Sequence, residues 1–182
     1  MAEDNVARSA GAMRGGWINS PAATMGPSRG HDAAQRALMA FHHILSSKKI
    51  STLHAWAQEL GLQGILKTGY PGVVLVADRA PDAQTNVAEY VRRIKRLPWQ
   101  TCELRLLEPV SCRGVLHGLQ AALHAPSQAS RHSRRSGLVE FDTLKTITPL
   151  LRDADARHAA EHRGAPCDAG AWEPFYRRAM RP

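Results

Sequence analysis

The stretch of sequence that decides the fold is FHHILSSKKISTLHAWAQELGLQGILKTGYPGVVLVADRAPDAQTNVAEYVRRIKRLPWQTCELRLL, residues 41–107. It opens with a run of bulky residues, 41–45, that is too short for a helix. Two helical patterns and two apolar runs follow, and the stretch closes with an alternating run over 101–107. The pattern predicts the order strand, helix, strand, strand, helix, strand.

Both predicted helices carry recognisable start and stop signals. The first covers about residues 48–60, with Ser47 as a candidate N-cap and Gly61 where a left-handed residue ends a helix. The second covers about residues 82–97, begins behind Pro81 and ends before Pro98. In each, apolar residues recur at three- and four-residue spacing, which indicates one buried face.

The strands differ in polarity, and the difference predicts their order. The run Val73-Val74-Leu75-Val76 is apolar on both alternating sets, as is the opening run, so both strands are expected at the centre of the sheet. The last strand alternates and the second carries Lys67 and Thr68, so both are expected at the edges. The predicted order is fourth, first, third, second. This is the α+β, ferredoxin-like βαββαβ arrangement, with a four-stranded antiparallel sheet and both helices on one face.

The rest of the chain divides into segments of different composition. Residues 1–36 are rich in Ala, Gly, Ser and Pro and are predicted to be a disordered tail, with a short lead-in helix over 31–40. The ferredoxin-like domain is predicted over 37–123 and a basic linker over 124–136. Residues 137–182 read as a C-terminal extension with a strand at 137–141, a helix at 144–163 and late aromatic residues that pack back on the domain. The sheet face opposite the two helices needs such a cover, or a partner.

Charge and cysteine content limit the class of protein. The net charge is +8, and residues 111–136 carry four basic residues and no acidic one. Such an excess suits RNA or an acidic ribonucleoprotein partner, although it also occurs in solvated tails. The three cysteines lack close pairing, which favours a reducing intracellular compartment, nuclear or cytoplasmic. No apolar run reaches the roughly 20 residues of a membrane helix, and no signal peptide is expected.

Catalytic and metal-binding patterns are weak. No nucleophile elbow, P-loop or zinc-protease motif occurs, so we expect no enzyme, no cofactor and no small-molecule substrate. His158 and His162 are four apart near Cys167, but no second close ligand pair accompanies them, so no metal site is expected. His42 and His43, adjacent on a predicted strand, would point to opposite faces, one into the core and the other towards a partner or nucleotide.

A basic cluster ends the second predicted helix. It admits two explanations: cations that complement the helix C-terminus, or a patch that follows RNA phosphates with help from Lys48, Lys49 and the arginines of the linker. The aliphatic third strand argues against base stacking on the sheet surface, so RNA contact would depend on charge, histidine and tyrosine. The candidate RNA-binding residues are His42, His43, Lys67, Tyr70, Arg92, Arg93, Lys95, Arg96 and Trp99.

Four motifs, in order and suitably spaced, resemble a known domain. They are Phe41-His42-His43-Ile44, Trp56-Ala57-Gln58-Glu59-Leu60-Gly61-Leu62, Gly69-Tyr70-Pro71-Gly72-Val73 and Arg93-Ile94-Lys95-Arg96-Leu97-Pro98-Trp99. Residues 41–107 are similar to the C-terminal domain shared by the RWD-domain-containing protein two family and a spliceosomal pre-mRNA-processing factor of the tri-snRNP. A weaker likeness covers 137–178. The resemblance implies a ferredoxin-like fold and, through the spliceosomal branch only, contact with single-stranded small nuclear RNA, mRNA splicing and a nuclear location.

Two functional hypotheses follow. The first is a non-enzymatic RNA-binding accessory module that contacts small nuclear RNA or another single-stranded RNA. The second is a protein–protein interaction domain with no nucleic-acid role, which docks an acidic or apolar partner on the uncovered face of the sheet.

Overall fold

The opening strand of the sheet lies earlier in the chain than the sequence predicts. The computed structural model describes residues 34–79, 86–110, 113–125, 137–161 and 171–181, and in it β1 is Gln35–Phe41. The predicted strand at 41–45 is therefore wrong, and so is the described part of the predicted helix at 31–40. Ala and Leu favour a helix here, but strands flank this segment on both sides and five of its seven residues are buried. Burial between two strands overrides local propensity.

The predicted disordered tail and basic linker fall mostly outside the described residues. Of the tail, residues 34–36 are described, and 35 and 36 belong to β1; of the linker, residues 124 and 125 are described. The bounds predicted for these two segments remain predictions.

The remaining elements alternate between helices and strands. They are α1 (Ser47–Glu59), β2 (Leu62–Lys67), β3 (Gly72–Asp78), α2 (Val87–Lys95), β4 (Cys102–Pro109), α3 (Arg113–Leu123), β5 (Leu138–Phe141), a 3-10 turn (Leu144–Thr146), α4 (Ile147–Glu161) and α5 (Trp172–Ala179). The Ser46 hydroxyl caps α1 by accepting a hydrogen bond from the Lys49 amide at 3.4 Å, one residue before the predicted cap. Gly61 has φ +65°, as predicted for the residue after this helix. None of the described helices is long and apolar enough to cross a bilayer.

The fold is α+β, as predicted, but its sheet has five strands in the order β4-β1-β3-β2-β5. The first four strands are antiparallel neighbours in the predicted order, whereas β5 pairs with β2 in parallel. The prediction of a four-stranded, wholly antiparallel sheet is therefore wrong. Lys67 made β2 look like an edge strand, yet all six β2 residues are buried because β5 covers that edge.

Helices cover both faces of the sheet. One set of alternating strand residues packs under α1 and α2, in a core that includes Met39, Val74 and Ile94. The opposite set packs under α3, α4 and α5, in a core that includes Leu75 and Trp172. The expectation that the C-terminal extension covers this face is therefore confirmed for the described residues, and α3 contributes to the cover as well.

The last helix is fastened to this second core by polar contacts as well as by apolar packing. The Asp155 carboxylate accepts hydrogen bonds from the backbone amides of Trp172 and Glu173, at 2.7 and 3.0 Å. The fully buried Trp172 indole donates to the Val115 carbonyl at 2.8 Å. The Arg36 guanidinium lies 5.0 Å from the Trp172 ring centroid. These contacts fix the position of α5 relative to β1.

Candidate functional site

Four of the nine predicted site residues, His42, His43, Lys67 and Tyr70, lie at the end of the sheet where β1 finishes and β3 begins. Phe41 pairs with Gly72 across these two strands. Beyond that pair, Ile44 and Gly69 exchange two backbone hydrogen bonds of 3.0 and 2.9 Å. The segment after β1 and the turn before β3 are therefore held side by side, which brings residues 42–43 next to residue 70.

Three rings meet at this end of the sheet. The His42 ring lies 5.0 Å from the Tyr70 ring and 5.0 Å from the His43 ring, centroid to centroid, both in edge-to-face geometry. Tyr70 is 72% exposed, the most exposed of the large hydrophobic residues in the described part of the chain. Edge-to-face pairs of this kind leave ring surface accessible for stacking by another planar group.

The prediction that the two histidines point to opposite faces of a strand is wrong. They follow β1 in a bend, and their Nδ1 atoms are 2.7 Å apart, at hydrogen-bond distance. One Nδ1 donates and the other accepts, so this hydrogen bond fixes the orientation of the two rings relative to each other. The pair is a surface feature, with His42 exposed and His43 half-buried.

Lys67 is a buried residue that stabilises the turn before β3. Its side chain is 3% exposed, and its ammonium donates hydrogen bonds to the Tyr70 and Pro71 carbonyls at 2.9 and 2.8 Å. Burial lowers the pKa of the Lys67 ammonium. Lys67 therefore holds the turn that presents Tyr70, and little of its charge reaches a ligand on the surface.

Trp99 forms the second half of the site. Its indole donates to the Ile94 carbonyl at 2.8 Å, and its ring lies 4.7 Å from the Phe41 ring. The Lys49 ammonium sits 4.3 Å from the Trp99 ring centroid and donates to the Pro98 carbonyl. Beside this pair is a depression of about 350 Å³, lined by His43, Leu45, Ser46, Lys49, Trp99 and Gln100. The depression therefore connects His43 to Trp99.

The basic residues of α2 fall into two groups. Arg92 pairs with Glu89, and Arg93 pairs with both Glu89 and Glu59, so these two arginines are largely neutralised. Hydrogen bonds from Arg93 hold the pKa values of both glutamates below their usual range. Lys95 and Arg96 are exposed and form no ion pair with any described residue. They are the cations of this helix that a ligand can use.

A second depression extends the site in a direction the sequence did not indicate. It measures about 310 Å³ and is lined by Tyr70 and His42 together with Arg105 and Met180, among others. Arg105 stands at a β-bulge in β4, where the register against β1 shifts, and pairs with Glu103 at 3.0 Å. Met180 directly follows α5. Neither residue stands out in the sequence, because each reaches the site through long-range packing.

The C-terminal helix carries a further cluster of charge. Arg152, Arg177, Arg178 and Arg181 surround a groove of about 590 Å³ with Glu173 and Pro174. Residues 137–182 hold seven Lys or Arg and seven Asp or Glu, so the segment looks neutral in sequence. The fold separates these charges and places four arginines on one surface, which composition alone does not reveal.

Within the described ranges, no three His, Cys, Asp or Glu side chains come together as a metal site would require. Of the three residues weighed for zinc, His158 is buried on α4, and His162 and Cys167 lie outside those ranges. No protein-family model matches the chain, and neither does any curated protein.

Proposed function

We propose that the protein is a non-enzymatic module that binds single-stranded RNA at the aromatic end of its sheet. This end comprises His42, His43, Tyr70 and Trp99, with Lys49, Lys95 and Arg96 as the cations around it. The observation that carries the proposal is the exposed Tyr70 ring, which contacts His42. His42 in turn contacts His43, which lines the depression beside Lys49 and Trp99.

The chemistry of single-stranded RNA matches this surface. Unpaired bases stack on aromatic and histidine rings, and each stacked base contributes about 1–3 kcal/mol with little sequence preference. Lysine and arginine beside the rings attract the phosphates between the bases. Stacking on the sheet itself is not part of the proposal, because both faces of the sheet are covered by helices.

The kind of RNA is a further part of this proposal. Within the five-stranded sheet, β1 to β4 with α1 and α2 keep the βαββαβ order of the ferredoxin-like arrangement, and α1 and α2 share one face. The resemblance of residues 41–107 to the C-terminal domain of the spliceosomal factor, which is drawn from sequence motifs, implies contact with small nuclear RNA. We propose on that basis a small nuclear RNA as the ligand and the nucleus as the compartment.

A binding titration tests the proposal directly. Fluorescence anisotropy with a labelled single-stranded RNA of about 8 nucleotides, within the range of single-stranded sites, gives the affinity at several salt concentrations. Tyr70→Ala should weaken binding by about 1–3 kcal/mol, roughly 5- to 150-fold, through loss of one stacked base. Tyr70→Phe keeps the ring and should stay within about twofold. Wild-type affinity weaker than about 10⁻⁴ M at physiological salt would refute the proposal.

The two groups of α2 cations supply a matched pair of charge variants. Arg96→Gln removes a cation without an ion pair among the described residues and should lower the salt slope by about 0.7, the value for one single-strand phosphate contact. Arg93→Gln removes the same charge from a side chain already held by Glu59 and Glu89. Its salt slope should remain close to the wild-type value. Equal slopes for the two variants would count against a phosphate path along this helix.

The alternative, a protein-interaction module, also has a specific observation in its favour. Leu45 is 69% exposed and lines the depression beside Trp99, where an apolar side chain of a partner would fit. Leu45→Ser should abolish capture of such a partner, because a polar side chain then replaces the exposed apolar one. A pull-down before and after nuclease treatment separates the two functions, since a contact bridged by RNA disappears and a protein contact persists.

A further inference from the structure

The arginine groove on α5 is a second feature that the aromatic end does not explain. Arg152 from α4 approaches Glu173 at 2.9 Å, and Arg177 approaches the same carboxylate at 2.8 Å. Arg178 pairs with Glu108 of β4, which also binds the buried Arg36. All four arginines of the groove, including Arg181, remain exposed at the surface.

The charges in this groove do not balance. Two carboxylates, Glu108 and Glu173, face five guanidinium groups when the buried Arg36 is included. Arg181 forms no ion pair with any residue in the described ranges. Asp155 adds one negative charge nearby, but its oxygens already accept two backbone amides at the start of α5. An excess of positive charge therefore remains on an exposed surface.

Ordinary helix electrostatics accounts for only part of the arrangement. Cations at the last turn complement the helix dipole, and exposed ion pairs contribute little to stability. Neither effect requires arginine in preference to lysine, or a fourth arginine from a neighbouring helix. Guanidinium groups are suited to bidentate binding of phosphate or carboxylate oxygens. A groove in which four of the six lining residues are arginines indicates recognition of an anion.

The groove and the aromatic end meet at the C-terminus of α5. Ala179 and Met180 line the depression that also contains Tyr70 and His42, and Arg177, Arg178 and Arg181 line the groove. The eight residues of α5 span only about 12 Å at 1.5 Å per residue. A single-stranded RNA that passes from Tyr70 over Met180 therefore reaches the arginines of the groove.

We infer that the arginine groove binds the backbone phosphates of the same single-stranded RNA, as a second section of its path. This inference rests on the proposed function, since the groove alone does not distinguish a phosphate from a carboxylate. The RNA-binding site is then longer than the aromatic end, and its second section contacts phosphates and not bases.

RNA length separates the two sections. One labelled RNA of about 8 nucleotides is expected to occupy only the aromatic end, and one of about 16 nucleotides is expected to extend into the groove. Each single-strand phosphate contact has a salt slope of about 0.7, which corresponds to roughly fourfold in affinity between 1 M and 0.15 M salt. Arg181 forms no ion pair with a described residue, whereas Arg177 shares the Glu173 carboxylate with Arg152 and is only partly neutralised. The double variant Arg177→Gln/Arg181→Gln should therefore bind the longer RNA about 4- to 15-fold more weakly at 0.15 M, with a salt slope lower by about 0.7 to 1.4.

A control of equal charge isolates the groove from general electrostatics. The double variant Arg79→Gln/Arg157→Gln also removes two exposed positive charges. Arg79 directly follows β3 and Arg157 lies on α4, and neither lines the groove. It should bind both RNAs within about twofold of the wild type. Circular dichroism of both double variants checks that the fold is retained.

The outcomes are distinct. The inference is supported if the groove variant loses affinity for the longer RNA and keeps its affinity for the shorter one. It is overturned, with the proposed function intact, if the wild type binds both lengths equally and the groove variant changes neither. If the wild type binds no RNA, the proposed function fails and the inference fails with it. If the groove variant loses binding only to a glutamate-rich peptide, the groove serves an acidic protein partner and the inference is wrong.

Discussion

Replacing Trp172 by alanine tests whether α5 is an integral part of the core on the second face of the sheet. The Trp172 side chain is fully buried, lies 6.3 Å from the Phe175 ring and donates its indole N–H to the Val115 carbonyl. A tryptophan buries roughly 200 Å². At about 25 cal/mol per Å², its removal costs about 5 kcal/mol, the upper end of what is measured for Trp→Ala substitutions in protein cores.

Trp172→Phe divides this cost into its parts. Phenylalanine retains most of the apolar contact and the ring beside Arg36, but it leaves the Val115 carbonyl without its donor. An unsatisfied buried acceptor costs about 1–3 kcal/mol. We therefore expect a loss of about 2 kcal/mol for Trp172→Phe and about 4–5 kcal/mol for Trp172→Ala.

Urea denaturation followed by circular dichroism measures both values, provided that the transition is two-state. If Trp172→Ala does not fold, Trp172→Phe still gives a measurable change. A decrease of less than about 1 kcal/mol in the free energy of unfolding for Trp172→Ala would refute the reasoning, because truncating a fully buried core residue costs more than that. It would also undermine the arginine groove, since α5 would no longer be held in place.

Two further predictions concern the packing of α3 and the turn before β3. A Cβ atom at Gly118 would lie 2.4 Å from the Ala154 carbonyl oxygen, whereas one at Gly61 would meet nothing within 4 Å. Gly118→Ala should therefore lower the free energy of unfolding by about 2–3 kcal/mol through overpacking, and Gly61→Ala by about 1–2 kcal/mol because of its left-handed backbone. Equal losses for the two variants in urea denaturation would contradict the close approach of α3 and α4. Burial lowers the pKa of Lys67 from 10.5, so the folded protein releases this proton at a lower pH than the unfolded chain does, and stability should rise with pH between the lowered pKa and 10.5. The Lys67→Met variant should lack this rise, and an unchanged difference in stability between wild type and variant across that pH range would show that Lys67 is not buried.

The local elements were largely predictable because their signals are short-range. The α1 helix follows from apolar residues at three- and four-residue spacing and from its cap and Gly61, and β5 follows from its apolar run after Gly137. The order of β1 to β4 followed from the contrast between the apolar run 73–76 in β3 and the alternating β4. These patterns indicate which residues are buried, so they can be recognised without knowing which segment covers them.

The errors arose where a distant segment decided the outcome. Gln35–Phe41 has the composition of a helix, and it becomes a strand because β3 and β4 flank it. Lys67 has the sequence context of a surface cation, but it is buried because β5 covers β2 and because two carbonyls of the turn accept hydrogen bonds from its ammonium.

The sequence by itself determined the α+β class, the order of the first four strands, and the presence of aromatic and basic residues near Tyr70 and Trp99. Only the tertiary structure decided that β5 pairs with β2 in parallel, that α3 joins α4 and α5 in covering the sheet, that His42 meets Tyr70, and that four arginines form one groove. The physical reason is range: periodicity shows which side chains are buried, whereas the geometry of a surface depends on contacts between residues far apart in the chain. Arg152 and Arg177 share Glu173 only because Asp155 and Trp172 dock α5 on α4 and α3.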